Sequence, residues 1–599
     1  MKFWKTCWKL MKGARGLYIL SMLIQTLMVF STVFTTFLSK VLTDALVALN
    51  GGIAYTPDTA LSRFVVNVIT FGAGPDFLMD HLYLLAVAIL VSGFLSAALS
   101  CLRVLTRVKS SATINKTAQM AVFSHMAKLP YAHFKKTKPG ELLQTATRDL
   151  DVLRRFLVQD FGSINYTFWM VALCFAVLMS LSWKYTIISL SPFPLMFVYS
   201  YFLIKKVRAL YRATDDSEAK MTDKIAENLN AVRLVKAYNA ETQEIASFVD
   251  RLNEYRGLFI SWRKFSSFFF ASSDIFVFGA KAISLLYGVY LFFVGEITGG
   301  TMVVAISFVN MMVWPLRNVA TIFSNVGQVL ASVDRINLIL DAEIEDRTSG
   351  KRPEIKGHIV FNHVSYSYDD AEKGVIKDVS FEIKPGESVA IMGKTGSGKS
   401  TLLSLLTRLY DYTGGEITID GVPLKEIQKD HLRHAIVPVL QDPFLFSKSI
   451  YENIRLANKG ASREEIIRSA KIAAVHETIS SFKDGYDTPV GEKGITLSGG
   501  QKLRVAIART IASNAKVLLF DDSLSAVDTE TDLEIRSHLK ELGKDVTTII
   551  ITHRVMSAKD ADLILVLDGG RIAAMGKHEE LIKQEGLYKD IYEIQSQMA

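Results

Sequence analysis

Cysteine is scarce in this chain, which has three among 599 residues. Cys7, Cys101 and Cys174 stand far apart and follow none of the spacings of a metal site or a disulfide framework. Two of the three lie in or beside apolar runs. The cysteines are therefore interpreted as packing residues, and both disulfide and cysteine–metal chemistry are disfavoured.

Charge is absent from long stretches of the N-terminal half. Five charge-free runs of about 20 residues or more are long enough to cross the hydrocarbon core of a bilayer as helices. They cover residues 16–39, 82–102, 161–183, 185–204 and 297–316. A sixth run, 265–295, is interrupted only by Asp274 and Lys281. These runs predict six membrane spans followed by a soluble domain.

Basic residues are nearly missing from one inter-span segment and abundant in the next. Residues 50–80 contain a single basic residue, Arg63, whereas residues 107–155 contain ten Lys and Arg. Because basic loops stay in the cytoplasm, we expect 107–155 to be cytoplasmic, 50–80 to be outside and both termini to be cytoplasmic. This juxtamembrane excess accounts for the net charge of +8, so no nucleic acid is expected as a partner.

The basic and aromatic segment 1–15 precedes the first apolar run, and a signal peptide is the competing interpretation. That run is too long for a signal peptide, and no small-residue cleavage site follows it. The segment is predicted to be an interfacial helix that leads into the first span. The predicted organisation is a transmembrane domain over 1–335, a linker over 336–354 and an α/β nucleotide-binding domain over 355–599.

A glycine-rich loop follows a strand-like apolar run in the soluble domain. Residues 393–400 fit the pattern G-x-x-x-x-G-K-[ST], in which backbone amides wrap phosphates at the start of a helix. Lys399 is predicted to reach the β- and γ-phosphates of ATP, and Ser400 to bind Mg²⁺. The residues predicted to bind ATP through this loop are Gly393, Lys394, Thr395, Gly396, Ser397, Gly398, Lys399, Ser400 and Thr401.

Two further motifs follow in order. Asp521 ends the apolar run 517–520 and is predicted to hold Mg²⁺, directly or through water. Between it and the glycine-rich loop lie, in sequence, Leu497, Ser498, Gly499, Gly500 and Gln501. Together the three motifs resemble the ATP-binding cassette (ABC) family. With the six predicted spans, the resemblance implies an exporter-type half-transporter: six transmembrane helices, of which spans four and five cross to a partner subunit, and an α/β P-loop domain.

The resemblance implies roles for further residues around ATP. Tyr368 matches the aromatic residue that stacks on adenine, and Tyr366, which alternates with Val364, is interpreted as a core residue, although the two could be exchanged. Gln441 matches the residue that touches Mg²⁺ or water and senses the membrane domain. His553 matches the histidine that contacts the γ-phosphate.

The resemblance also implies contacts made across a dimer. Residues 497–501 would present Ser498 and Gly500 to a γ-phosphate held by the opposite subunit. Residues 525–528 resemble a loop in which Asp528 lies at the dimer interface. Residues 138–149 and 226–236 resemble the two intracellular loops, whose short coupling helices dock on the ATPase domains, and 488–494 resembles the loop that meets them. One chain would therefore not complete an ATP site.

Asp522 departs from the family pattern, in which a glutamate follows the Walker B aspartate and polarises the attacking water. The aspartate is one methylene shorter, and a misplacement of about 1 Å can cost ~10²-fold in rate. The surrounding sequence resembles the degenerate subunits of heterodimeric bacterial exporters, which implies a partner with an intact glutamate and a slow site here. Two alternatives are that Asp522 works as a slow base and that it is an engineered change.

Charges within a predicted span are functional candidates, because they are costly in a bilayer. Asp274 and Lys281 are seven residues apart, so both lie on similar faces of a helix, where they are candidates for a substrate cavity. The alternative is a structural pairing or a wet, protein-lined environment. The outer segment 48–80 either caps the outer mouth or is a surface excursion.

The leading function is ATP-driven export of small amphipathic molecules or drugs from a bacterial cytoplasmic membrane, with ATP and Mg²⁺ as cofactors and membrane lipids as surroundings. Lipid or lipopeptide flipping and import through an exporter-like fold are alternatives. A rival of another class is a regulatory subunit that no longer transports, which the intact coupling-loop motifs disfavour. Fold alone does not decide among substrates.

Overall fold

The computed structural model describes residues 2–51, 54–137, 139–368, 374–523, 527–541 and 546–598. The chain forms two compact units. The first, the membrane unit, comprises Met1–Ala127 and Lys138–Ala342, and the second, the nucleotide unit, comprises Lys128–Thr137 and Glu343–Ala599. Lys138 in the first predicted intracellular loop, and Ser525 and Ala526 beside Asp528, lie outside the described residues.

Among the described residues, six helices of the membrane unit are long and apolar enough to cross a bilayer, which confirms the predicted number. Called span one to span six, they are Arg15–Gly51, Tyr83–Met126, Pro139–Leu181, Trp183–Asn230, Glu241–Val294 and Gly299–Val319. Span six continues as a helix to Leu340. At 1.5 Å per residue, the 54 residues of span five extend over roughly 80 Å. At least this span helix is therefore much longer than the thickness of a bilayer.

Shorter elements complete the membrane unit. The predicted N-terminal segment is helical over Lys2–Leu10. The outer segment contains the helices Ala60–Ile69 and Pro75–Asp80, and Val232–Ala237 joins spans four and five. Span three contains two π-helical stretches, Thr145–Asp149 and Phe156–Asp160. Buried apolar side chains of several spans pack together, as Val29, Met170 and Phe308 do.

The described part of the nucleotide unit has two β-sheets. The ten strands found there are β1 Ile359–Tyr366, β2 Ile376–Ile383, β3 Ser388–Gly393, β4 Gly414–Ile419, β5 Val422–Pro423, β6 Ile436–Val439, β7 Val517–Asp521, β8 Thr547–Ile551, β9 Leu563–Asp568 and β10 Arg571–Gly576. A four-stranded antiparallel sheet has the order β2-β1-β4-β5. A six-stranded sheet has the order β10-β9-β3-β8-β7-β6 and is parallel except for β10.

Helices surround these sheets and confirm the α/β class. They are Tyr131–Lys136, Lys399–Leu406, Lys429–Ala435, Ile450–Arg455, Arg463–Ile472, His476–Ser480, Gly499–Ile511, Thr529–Glu541, Val555–Ala558, His578–Leu581 and Leu587–Met598. Short 3₁₀ turns occur at Leu424–Glu426, Gly485–Asp487 and Glu492–Gly494. The inner strands β7 and β8 of the six-stranded sheet are almost wholly buried, as expected for strands covered on both faces.

The helix Tyr131–Lys136 belongs to the nucleotide unit, although it precedes span three in sequence. Tyr131 meets the ring of Tyr410 edge-on at 5.7 Å, and the Lys135 Nζ lies 4.6 Å from the ring centroid of Tyr368. Residues from Pro139 onward are continuous with span three. This short helix of the nucleotide unit therefore lies just before the stretch 138–149, which resembles the first intracellular loop.

Candidate functional site

Parallel strand order brings the predicted motifs to one edge of the six-stranded sheet. Strand β3 runs into the glycine-rich loop, β7 ends at Asp521, and β8 ends two residues before His553. Because β8 lies between β3 and β7 and all three are parallel, their carboxyl ends are adjacent. This is the edge at which α/β sheets bind ligands.

The glycine-rich loop needs glycine for conformation and space. Gly393, Gly396 and Gly398 all have positive φ, at 150°, 82° and 104°. A Cβ on Gly393 would stand 2.2 Å from the carbonyl oxygen of Leu567, which no side chain tolerates. Gly398 also precedes the helix Lys399–Leu406, so the loop delivers its backbone amides at a helix N-terminus.

Lys399 is buried, and its ammonium is held by the loop itself. Its Nζ donates to the carbonyl oxygens of Gly393 at 2.9 Å and Lys394 at 2.8 Å. Burial lowers the pKa of Lys399, while the charges of Asp522 and Asp521 act in the opposite direction. A cation held between loop carbonyls in a phosphate-shaped loop is suited to a polyphosphate.

Ser400 and Asp521 supply two oxygen ligands of the kind that Mg²⁺ prefers. The Ser400 hydroxyl donates to Oδ1 of Asp521 at 2.9 Å, so the two predicted Mg²⁺ residues are adjacent. Burial raises the pKa of Asp521, the hydrogen bond from Ser400 lowers it, and the nearby charge of Asp522 raises it. A divalent cation here would offset the proximity of the two carboxylates.

Asp522 has the left-handed backbone conformation, with φ of 48°. Its N–H donates to the carbonyl oxygen of Ile551 at 3.1 Å, so the end of β8 fixes the backbone here. Aspartate and asparagine adopt this conformation more readily than longer residues do. The short side chain therefore agrees with the local backbone.

A cavity of about 640 Å³ brings together predicted residues of four motifs. Its wall also includes Val375 and Ile551, which sequence reasoning did not single out, because nothing distinguishes them from ordinary strand residues. The predicted residues that line it are Thr395, Gly396, Gly398, Lys399, Ser400, Thr401, Gln441, Asp521, Asp522 and His553. The remaining loop residues, Gly393, Lys394 and Ser397, shape the loop without lining this cavity.

Tyr368 lies beside the cavity rather than in its wall. Its hydroxyl is 3.2 Å from the Thr401 hydroxyl, and its ring meets Tyr410 edge-on at 5.2 Å. Tyr366 is 7% exposed and packs in the core, which agrees with its interpretation as the buried member of the pair. Of this pair, Tyr368 is therefore the tyrosine that lies beside the cavity, and its contact with adenine stays a prediction.

The segment 497–501 does not line the cavity. Leu497 is buried, whereas Ser498 and Gly499 are exposed at the start of the helix Gly499–Ile511. Ser498 caps this helix: its Oγ accepts from the N–H of Gln501, and the Gln501 side chain accepts from the N–H of Ser498. This capping box fixes the helix start and leaves the Ser498 hydroxyl proton available.

Gly499 has no steric reason to be glycine within this chain. A Cβ at Gly499 would meet nothing within 4 Å, and glycine costs ~1 kcal/mol relative to alanine in a helix. Gln501 and the half-buried Gly500 follow it. No described neighbour therefore crowds position 499, and the contact of this segment with a partner's phosphate stays a prediction.

Asp528 caps the next helix. Its carboxylate accepts from the N–H and the hydroxyl of Thr531, both at 2.9 Å, and the backbone hydrogen bond lowers the pKa of Asp528. The structure therefore gives Asp528 a local capping role. Its predicted place at a dimer interface involves a second chain and stays a prediction.

Asp274 and Lys281 differ in their surroundings. Asp274 on span five accepts from Arg317 of span six at 2.6 Å, and Arg317 also donates to Ser273 and to the carbonyl oxygen of Phe270. Lys281 is half-buried, with its Nζ 5.6 Å from the ring centroid of Phe278. The ion pair at Asp274 thus joins two spans and does not involve Lys281.

A buried ion cluster in the membrane unit was missed in the sequence. Lys40 is fully buried, and its Nζ lies 2.8 Å from Asp44 Oδ2 and 2.7 Å from Asp58 Oδ1. Asp44 also accepts from the N–H of Gly300 and the hydroxyl of Thr298, at the start of span six. The i, i+4 spacing of Lys40 and Asp44 at the end of an apolar run is the signal that could have indicated it.

A P-loop nucleotide-binding unit joined to a six-span membrane unit defines an ATP-driven half-transporter. The family model for the ABC transporter transmembrane region matches residues 17–316, and the ABC transporter model matches residues 376–525. The chain belongs to the ABC transporter family, in its exporter-type half-transporter form.

Relatives and solved structures agree with this assignment. The chain is 34% identical over 488 residues to the probable multidrug resistance ABC transporter ATP-binding/permease protein YheI of Bacillus subtilis, covering 80% of this chain and 83% of that protein. It is 31% identical over 530 residues to the ATP-dependent lipid A-core flippase of Legionella pneumophila, covering 87% and 88%. The structure of a bacterial Atm1-family ABC exporter with ATP bound matches with a TM-score of 0.76 and 26% identity, over 96% of this chain and 98% of that one.

Proposed function

We propose that this chain is one half of an ATP-driven exporter of small amphipathic molecules, and that it works as a heterodimer. The observation that carries the proposal is Asp522, which follows Asp521 in the cavity of an otherwise complete P-loop site. The segment 497–501 is intact and exposed at its serine. A chain with a weakened site of its own and a complete signature segment is suited to serve a partner's site.

The nucleotide site divides its work among a few residues. Lys399 and the loop amides would hold the phosphates of ATP, Ser400 and Asp521 would hold Mg²⁺ with Gln441 nearby, and Tyr368 would stack on adenine. Bound Mg²⁺ neutralises charge on the phosphates during transfer. Asp522 would orient water from a shorter side chain than glutamate, so hydrolysis at this site is slow. His553 would contact the γ-phosphate.

Export of drugs or other amphiphiles is the preferred transport function because relatives include a probable multidrug resistance protein. Lipid or lipopeptide flipping is the second candidate, since another relative is a lipid A-core flippase. Import through an exporter-like fold remains an alternative. We place the chain in a bacterial cytoplasmic membrane with both termini in the cytoplasm, on the basis of the basic residues in 107–155.

The pairing is tested by comparing the chain purified alone with the chain co-expressed with a partner. The partner is a half-transporter that retains the Walker B glutamate, and the first choice is one encoded by the neighbouring gene. ATPase activity and uptake of a fluorescent amphiphile are measured in vesicles. The chain alone should hydrolyse little ATP, and the pair should hydrolyse and transport. Robust transport by the chain alone would refute the heterodimer, and ATP hydrolysis by the pair without any transport would favour a regulatory subunit.

A further inference from the structure

Two arginines stand one helical turn apart where the apolar part of span two ends. Arg103 follows directly on the charge-free run 82–102, and Arg107 is four residues later. Residues at this spacing share a helix face with Cβ atoms about 6 Å apart. Two like charges so close repel each other, so the pair is unfavourable unless something of opposite charge lies between or beside them.

No carboxylate in the described parts of the chain is paired with either arginine. Neither Arg103 nor Arg107 forms a hydrogen bond or ion pair with another described residue, and the Nε of Arg103 is buried without an acceptor. A buried guanidinium nitrogen that lacks an acceptor loses its hydration without compensation. Tyr166 of span three is a near neighbour of Arg103 but brings no charge while its hydroxyl is protonated.

A crevice of about 440 Å³ adjoins Arg107 between spans two and three. Its one carboxylate, Asp151, is already bound by Arg154 and by Arg155, the latter at 3.1 Å, and Arg154 also donates to the Ser111 hydroxyl at 2.8 Å. Asn115 and Gln159 add amide donors to the wall. The crevice therefore has an excess of positive charge and of hydrogen-bond donors.

Apolar side chains continue beside these donors. Val108 lines the crevice and is 60% exposed, and Leu102 and Leu105 on the same helix are also exposed. A ligand with an anionic group at one end and a hydrocarbon tail at the other would match both features.

We propose that Arg103 and Arg107 bind the phosphate or carboxylate group of an anionic amphiphile at this end of span two, beside the crevice that Arg107 lines. Guanidinium groups bind such oxyanions with paired, charge-assisted hydrogen bonds, which a lone ammonium does not reproduce. The inference rests on the proposed function, which it narrows from amphiphiles in general to anionic ones. The amphiphile is either a transported molecule or a lipid of the surrounding leaflet.

Direct binding tests the site without relying on ATP hydrolysis or on a partner. The full chain is placed in phosphatidylcholine nanodiscs, and equilibrium binding of radiolabelled decyl phosphate is compared with that of decyltrimethylammonium. The double variant Arg103→Gln/Arg107→Gln should weaken binding of decyl phosphate by about tenfold. Binding of decyltrimethylammonium should not change. The variant Lys109→Gln is the matched control, because it removes one positive charge from an exposed position on the same helix.

Equal binding of decyl phosphate to the wild type, the double glutamine variant and Lys109→Gln would overturn the site, and so would an equal loss in all variants. Arg103→Lys/Arg107→Lys keeps both charges and should recover part of the affinity, which separates a binding defect from a folding defect. A negative result in this binding assay would not contradict the proposed export function, because export is measured separately as transport by the co-expressed pair.

The source of the anion is decided by changing the lipid. If a leaflet lipid occupies the site, phosphatidylglycerol in the nanodisc should stay bound to the wild-type chain. It should not stay bound to the double glutamine variant. If phosphatidylglycerol does not compete with decyl phosphate, the site serves a transported amphiphile. Both outcomes support an anion site, whereas identical lipid retention by all variants with no decyl phosphate binding contradicts it.

Discussion

At the residue scale, Asp522 combines a chemical departure with a backbone that favours it. Replacement by glutamate should increase hydrolysis at this chain's own site, because the carboxylate is extended by one methylene. It should also lower the melting temperature slightly, because a longer side chain at φ of 48° is less favourable than aspartate. The variant Asp522→Asn is the control: it tolerates this backbone, should keep the melting temperature and should not increase hydrolysis.

Both outcomes are measured on the co-expressed pair, by single-turnover ATP hydrolysis and by thermal unfolding. A gain in hydrolysis requires the partner's signature segment to be functional as well. A melting temperature that falls equally in the Glu and Asn variants would show that the left-handed backbone is not the cause.

Substitution of the small residue Ser498 should cause a large loss of ATPase activity in the pair. Its exposed hydroxyl at a helix start is proposed to face a phosphate on the partner, so Ser498→Arg places bulk where a short donor is needed. ATPase activity of the pair should fall by at least tenfold, in line with the loss of a charge-assisted contact. Ser498→Asp keeps the N-cap but adds a negative charge facing phosphate, and should be similarly inactive while folding normally.

Activity of Ser498→Arg within a factor of two of the wild type would reverse the assignment of the competent site. Thr496→Arg is a useful comparison, because it adds the same side chain at an exposed position two residues earlier.

The residues of the nucleotide site could be predicted largely because their motifs are local in sequence. The loop 393–401 specifies its own conformation through glycines, and Asp521 follows from an apolar strand. The partner of Asp274 could not be predicted in the same way. Lys281 lies at helical spacing in the same run, whereas Arg317 is brought from another span by tertiary packing.

At the element scale, the Lys40 cluster shows how span one carries charges beyond its charge-free run. The run 16–39 ends at Lys40, and the helix continues to Gly51 with Lys40 and Asp44 paired inside the unit. Asp58 ties the outer segment to the same cluster, and Asp44 caps span six. A rule that ends spans at charges misses a helix whose charges are paired in the fold.

Lys40→Met should therefore lower the stability of the membrane unit strongly. Removing one member of a buried ion cluster leaves the other charges uncompensated, which typically costs about 3–5 kcal/mol. Lys184→Met is the matched control, because Lys184 pairs with Glu296 at an exposed position in the same unit, where an ion pair contributes about 0–1 kcal/mol. Thermal unfolding in detergent, read by tryptophan fluorescence, compares the two, and similar melting temperatures would contradict a stabilising cluster.

The Asp274–Arg317 pair joins spans five and six and calls for a double-mutant cycle. If the pair is structural, Asp274→Ala and Arg317→Ala should each lower the melting temperature, and the double variant should recover part of the loss. Lys281→Ala should change ligand-stimulated ATPase activity more than basal activity if Lys281 contacts substrate. Additive losses for Asp274 and Arg317 would show that the two side chains act independently.

At the scale of the whole molecule, the charge-free runs predicted the number of spans, and the three nucleotide motifs predicted the second unit. The sequence did not reveal that the segment Lys128–Thr137 packs within the nucleotide unit, because this depends on contacts such as Tyr131 with Tyr410, which are distant in sequence. Contacts with a second chain likewise cannot be derived from the sequence of one chain, which is why the heterodimer is a proposal.

If the chain works as a heterodimer, the two ATP sites should hydrolyse ATP at very different rates. Replacing the partner's Walker B glutamate with glutamine should abolish most hydrolysis by the pair, because that site combines an intact glutamate with this chain's segment 497–501. Asp522→Ala should reduce hydrolysis only modestly, since a carboxylate that is too short contributes little to begin with. Lys399→Ala should weaken nucleotide binding at this chain's site without stopping turnover. Lys384→Ala, at an exposed position outside the loop, is its control. Steady-state ATPase activity and photolabelling of each subunit by an azido-ATP probe measure both effects, and equal losses from the two carboxylate changes would exclude the asymmetry.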